Sequence, residues 1–199
     1  MTLQWVGIDG TTPISATNEE FAQLREWLRV DGKLESRISN LFWRDMYEGY
    51  TRRSLNCNAV LDAVSNLERG ERHSGVKPAS RFRNPPLKGL WHKHYYSAQA
   101  LSNNVFLQLS TKGGMKRLSD DISGGGKTAL QIATRTVLGS LSDRSSAGKL
   151  TGEWVIFAKF GNENYYLSLG EHRIDDQIQY NRIIKYCIHD FPDLKQWLT

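Results

Sequence analysis

The run Trp91-His92-Lys93-His94-Tyr95-Tyr96 is the most concentrated chemistry in the chain. An imidazole with a pKa of about 6.5 accepts or donates a proton near neutrality, so two of them can serve as general base and general acid. Local conformation decides whether they form a pair. In an extended chain His92 and His94 point to one face and Lys93 to the other, whereas in a helix the two rings diverge by about 200°. Two histidines one residue apart, with His172 or His189 as a third, would also suit an open zinc site. No spacing fixes that third ligand, and the expectation is a chain with no metal and no cofactor. Hydrogen-bonded structural histidines are the alternative that needs no activity.

Charge concentrates around the same run. Residues 71–117 hold 9 Lys/Arg and one acid, Glu71, while residues 1–70 and 118–199 are each slightly acidic, so this block sets the net charge of +5. It also holds His73, His92 and His94, and the rings of Phe82, Trp91, Tyr95, Tyr96 and Phe106. Cations beside stackable rings suit a nucleic acid: the charge attracts any phosphate backbone, and each stacked base adds about 1–3 kcal/mol. The expected partner is RNA, preferably single-stranded, contacted by Arg81, Arg83, Lys88, Trp91, Tyr95, Tyr96, Lys112, Lys116, Arg117 and Lys159. An acidic inhibitor or partner protein fits the same charge, and a solvated loop of ordinary lysines and arginines is the plainest alternative.

These residues need elements to position them, and 199 residues suffice for one domain with a single core. The composition, 39% hydrophobic and 24% charged with 17 Gly and 5 Pro, excludes collagenous, disordered and disulfide-rich classes. No stretch approaches the roughly 18 apolar residues of a membrane span, and Met1-Thr2-Leu3-Gln4-Trp5 lacks the regions of a signal peptide, so the expectation is a soluble, cytoplasmic protein without membrane contact. Cys57 and Cys187 lie in apolar-periodic segments and read as core thiols.

Residues 1–70 form the expected helical part. Thr17-Asn18-Glu19-Glu20 is a capping box ahead of Phe21, Leu24 and Leu28; a second helix carries Leu34, Ile38, Leu41, Phe42 and Met46, and a third Val60, Leu61, Val64 and Leu67. Residues 71–126 read as basic and irregular, with loop chemistry from Glu71 to Pro86, a short strand at Val105–Leu109 and a glycine-rich connector over 112–127. Gly126-Lys127-Thr128 matches the end of a phosphate-binding loop, but Asp121 stands where its first glycine belongs, which argues against a nucleotide site. Residues 127–199 read as helix, hairpin, helix, with a helix over 129–141 and another from Asp175 to Phe191 started by Asp175-Asp176.

In that last part, Trp154-Val155-Ile156-Phe157-Ala158-Lys159-Phe160 and Tyr165-Tyr166-Leu167-Ser168-Leu169 flank Gly161-Asn162-Glu163-Asn164, a clear hairpin signal. Tyr165 and Leu167 share one face of the second strand and Tyr166 and Ser168 the other, so one tyrosine belongs in the core and the other outside. His172-Arg173 stand where the strand ends, a rigid edge suited to site residues. From Glu153 to Arg173 the chain resembles the strand pair and trailing Gly-x-His-Arg of RelE-like toxins, in the barnase, EndoU, colicin and RelE (BECR) ribonuclease superfamily. The resemblance implies a curved antiparallel sheet with helices packed on one side and metal-independent RNA cleavage by His, Lys, Arg and Tyr. By position it reaches Lys159, Tyr165 or Tyr166, His172 and Arg173.

The fold class expected is α+β, three N-terminal helices followed by an antiparallel sheet and a terminal helix. In the expected reaction a neutral imidazole takes the 2′-hydroxyl proton, the alkoxide attacks the neighbouring phosphate, and a protonated imidazole or a tyrosine assists the leaving 5′-oxygen. His92 or His94 with His172 would be the acid/base pair, Lys93 and Arg173 the electrostatic partners, and Tyr95 or Tyr166 a stacking platform. Activity should then peak between about pH 5.5 and 7.5. A non-catalytic module binding nucleic acid or an acidic partner is the opposing reading.

Overall fold

The computed structural model describes residues 1–70, 76–97, 100–150 and 152–198. In chain order the elements are β1 (Thr2–Val6), β2 (Pro13–Thr17), α1 (Asn18–Leu28), α2 (Gly32–Glu35), α3 (Asn40–Thr51), α4 (Cys57–Glu68), β3 (Ser80–Arg81), β4 (Trp91–Tyr95), α5 (Leu101–Leu109), α6 (Lys112–Ser123), α7 (Ala129–Ser146), β5 (Glu153–Phe160), β6 (Glu163–Gly170), α8 (Asp176–Cys187) and α9 (Leu194–Trp197). The class is α+β. No helix among the described residues is long and apolar enough to cross a membrane. Glu71 and His73 lie outside the described residues.

The main sheet is an antiparallel meander in the order β3-β4-β5-β6. Strand alternation sends its residues into two cores. Tyr95, Val155, Phe157, Tyr166 and Leu169 pack with Phe21, Leu24, Leu28, Phe42, Trp43, Met46, Val60 and Val64 from α1, α3 and α4. Ile156, Ala158 and Leu167 pack with Leu87, Leu90, Ile183, Cys187 and Leu194 on the other side. Helices therefore cover both faces, not the single face implied by the RelE likeness. The register of β5 and β6 shifts at Ile156/Phe157, where Ser168 pairs Ile156 and Tyr166 pairs Phe157, leaving Leu167 as the extra residue of a bulge. Beyond the bulge Tyr166 and Ser168 no longer share a face; Tyr166 faces the first core and Tyr165 the second.

The capping box forms as the sequence requires: Glu20 N–H donates to Thr17 Oγ1 and Thr17 N–H to the Glu20 carboxylate. Both cysteines are buried, and Asp175 caps α8 by accepting from Gln177 N–H at 2.7 Å. Four expectations need correction. Residues 2–17, expected to belong to the helical part, form the hairpin β1-β2. The second helix is interrupted, because Ser39 N–H donates to Tyr166 O and Tyr166 N–H to Arg37 O, drawing residues 37–39 onto the edge of β6 before Ser39 caps α3. Val105–Leu109 belongs to helix α5, where Asn104 back-bonds to Ala100 O and accepts from Arg144 of α7. The glycine-rich connector is mostly α6, started by Thr111 Oγ1 accepting from Gly114 N–H at 3.0 Å; a Cβ at Gly114 would fall 2.1 Å from Gln108 O, so glycine there lets α5 and α6 turn tightly.

Candidate active site

β4 is extended, so His92 and His94 share a face, and its pairing with β5 sets His94 opposite Trp154 and His92 opposite Ile156. On the other flank β3 sets Ser80 opposite His92. The turn after β6 then brings in His172. The ring centroids of His92 and His94 are 5.4 Å apart and those of His94 and His172 also 5.4 Å, the latter two stacked within 23°. Trp154 lies against all three rings, at 5.2, 6.3 and 4.2 Å, and Phe82 covers His92 at 4.6 Å.

One backbone carbonyl orders the group. His94 Nδ1–H donates to Gly152 O at 2.8 Å and His172 Nε2–H to the same oxygen at 3.1 Å, leaving Nε2 as the lone-pair nitrogen of the neutral His94 ring. Glycine is required there: a Cβ at 152 would sit 1.7 Å from Tyr95 O. His172 is also held through its backbone N–H, which donates to Glu153 Oε2 at 2.9 Å. His92 Nε2 lies 2.9 Å from Ser80 Oγ, while its Nδ1 is buried without a hydrogen-bond partner among the described residues.

Burial, joined by the charges of His172 and Lys77, pushes His92 down to about 4. Burial likewise pushes His94 to about 4, against the bond to Gly152 O, with His92, His172 and Lys77 adding to the depression. Both rings are neutral at pH 7. His94 is 3% exposed, so it lies beneath the site, whereas His92 is half-buried and His172 exposed. The pair that reaches solvent is thus His92 and His172.

Several expected site residues are elsewhere. Lys93 alternates to the opposite face, is 2% exposed and donates from Nζ to Lys77 O at 3.0 Å; the lysine whose charge reaches the imidazoles is Lys77. Tyr95 and Tyr166 are buried in the first core and cannot stack on a base; Tyr166 Oη–H donates to Glu68 at 2.7 Å, and burial raises its pKa. Lys159 sits over the Trp91 ring at 4.2 Å, on the sheet face away from the histidines. Arg173 is exposed and paired with Glu171 at 2.6 Å. Arg81, Arg83 and Lys88 are exposed around the strand β3 and the turn that follows it, and Tyr96 is half-buried just past β4. Lys112, Lys116 and Arg117 lie on α6, where Lys116 pairs with Asp120 and Arg117 with Asp143.

No protein-family model, no curated protein and no solved structure matches the chain.

His189 lies just beyond the C-terminal end of α8, a helix about 18 Å long whose first turn is the end nearer His172. Among the described residues no group of three His, Cys, Asp or Glu side chains is arranged to hold a metal ion. The residues that sequence reasoning missed are Lys77, Ser80, Gly152 and, as a site member, Trp154. Strand alternation puts Trp154 on a face with Ile156 but does not name its cross-strand partner. Ser80 and Gly152 carry no signal at all, since their roles come from pairings twelve and 58 residues apart.

Proposed function

We propose that this protein is a cytoplasmic RNA-binding ribonuclease that cleaves single-stranded RNA without a metal, with His92 and His172 as its acid/base pair. The observation that carries this reading is the cluster itself: three imidazoles over one tryptophan, two of them tied to one carbonyl, with a neutral ring at His92 and an exposed ring at His172. The proposal retains the RelE likeness as shared chemistry, carried by His172 and Arg173 and not by Lys159 or Tyr166.

In the proposed step neutral His92 accepts at Nε2 the hydroxyl proton of Ser80, whose Oγ takes the 2′-hydroxyl proton in its place. The 2′-oxygen bonds to the adjacent phosphorus, the bond to the 5′-oxygen breaks, and His172 gives that oxygen its proton. The products are a 2′,3′-cyclic phosphate and a 5′-hydroxyl. Lys77 and Arg173 stabilise charge on the phosphoryl oxygens, His94 holds the Gly152 carbonyl in place, and the Trp154 face receives a base.

The test is cleavage of a short single-stranded RNA in chelator, with the product ends identified. Cyclic phosphate ends, with activity lost about 10²–10⁴-fold in His92→Ala and in His172→Ala at little cost in affinity, are expected. RNA binding without cleavage would leave the non-catalytic module as the reading, and cleavage unchanged by both substitutions would discard the mechanism.

A further inference from the structure

On the side of the sheet away from the histidines, α1 and α3 enclose a cavity of about 320 Å³ lined by Glu20, Gln23, Leu24, Trp27, Tyr47, Tyr50 and Thr51. That volume is at the lower end of the roughly 300–1,000 Å³ of small-molecule sites. Trp27 and Tyr50 form two walls, with ring centroids 5.6 Å apart and planes inclined at 48°. They remain 61% and 49% exposed, although Tyr47 behind them is buried against Trp5 and Phe21. Trp27 also borders a shallow, open depression with Gln23, Glu26 and Arg29.

Three aromatic rings and one carboxylate, with no lysine or arginine in the lining, suit a cation. The ligand class follows from which hydrogen bonds are on offer. Glu20 Oε2 already accepts from Thr17 N–H and Thr17 Oγ1, at 2.8 and 2.9 Å, and the Thr51 hydroxyl donates to Tyr47 O at 2.9 Å. Two of the cations nearest in sequence are committed, Arg25 to Glu35 and Arg52 to Glu48, each at 2.6 Å. Gln23 and the Tyr47 and Tyr50 hydroxyls also line the cavity and could receive the N–H groups of a primary ammonium, but an alkylated ammonium has no N–H to satisfy and gains most from the exposed ring faces. A nucleic-acid base could stack on Trp27, but its phosphates would meet Glu20 and Glu26.

We infer that the Trp27–Tyr47–Tyr50–Glu20 cavity binds a quaternary ammonium group, carried either by a small molecule or by a trimethylated lysine side chain. The site is independent of the cleavage chemistry, which lies across the sheet. Titration of the full chain, followed by NMR, uses tetramethylammonium, choline, a trimethyllysine peptide and its unmodified counterpart, with 3,3-dimethylbutanol as the neutral isostere. Saturable millimolar binding of the cations, shifting Trp27 and Tyr50 signals, is expected. Trp27→Ala should weaken it about tenfold and Trp27→Phe less, because the ring face supplies the attraction. Glu20→Gln keeps a capping-box residue, so the fold survives while affinity falls about threefold. A peptide that binds more tightly than choline assigns the group to a modified side chain, and equal affinities assign it to a small molecule. Equal binding of the neutral isostere, indifference to Trp27→Ala, or no saturable binding of any ammonium overturns the inference.

Discussion

The acid limb of any activity at the histidine cluster is set by His92, whose proton affinity is pushed down to about 4 by burial and by the positive charges around it. As pH falls the base is protonated only near pH 4, so activity should hold from neutrality down to about pH 5 and fall below, where an unperturbed imidazole would begin to fail at about 6.5. A pH profile of RNA cleavage checks this, and a half-point near 6.5 on the acid side would contradict it. The same groups link protons to stability. His92 and His94 bind protons in the unfolded chain below 6.5, their ordinary value, but in the folded chain only near 4, so their contribution is complete above 6.5 and is lost as pH falls through 4. Urea midpoints measured between pH 7 and 4 should decline, and decline less in His92→Ala. Gly152→Ala should distort both ends of the cluster at once, because a Cβ 1.7 Å from Tyr95 O forces the backbone to move and carries the shared carbonyl with it. Its expected signature is a loss of about 1–3 kcal/mol in stability, typical of overpacking, together with loss of the paired His94 and His172 imidazole signals.

At the scale of elements, α3 and α8 are clamped by a buried ion pair: Asp45 bonds Arg182, takes Leu169 N–H at 3.0 Å, and Arg182 also reaches Val6 O. Burial raises the Asp45 pKa to about 6 while the guanidinium opposes the rise. Arg182→Met should cost about 3–5 kcal/mol in denaturant unfolding, because it leaves a carboxylate buried without its cation, and Asp45→Asn added to it should recover part of that loss. The three-helix unit α5–α7 is held differently, since its buried residues are Asn104, Gly114, Ser140 and Arg144, with Phe106, Met115, Leu130 and Leu138 exposed. Its amides should exchange with solvent faster than those of α3 and β5. The contrast explains what could be read beforehand. The β5-β6 hairpin, α1, α4 and α8 were legible because an apolar periodicity faces a real core. Val105–Leu109 misled because a short apolar run is ambiguous between strand and helix, and here the burial that decides it is polar. The histidines of β4 were legible as a pair through alternation alone, but Tyr166 was misplaced by a bulge that leaves no mark in composition.

Over the whole molecule, the positive charge of residues 71–117 is divided. Lys116 and Arg117 are neutralised on α6, while Arg81, Arg83 and Lys88 surround the strands that carry the histidines. Affinity for single-stranded RNA should fall steeply with salt. Arg81→Ala with Arg83→Ala should flatten that slope by up to about 1.4, since each lost phosphate contact removes about 0.7, whereas Lys116→Ala with Arg117→Ala should leave it almost unchanged. The path of the chain carries one more consequence. β4 and β5 are neighbours, with Tyr95 paired to Glu153, so everything between them, α5–α7 included, departs from and returns to adjacent rungs of one ladder. Strands paired this way stand about 4.8 Å apart, a gap that two or three residues can close. The three-helix unit is in effect a cassette plugged into a tight turn, and a shortened chain joining Tyr96 to Gly152 through a brief turn should keep the meander, both of its cores and the carbonyl that both imidazoles share. The cassette's seat would then accept a foreign domain whose termini lie close together, and retention of the paired His94 and His172 signals in such a chimaera would show that the seat had been left intact.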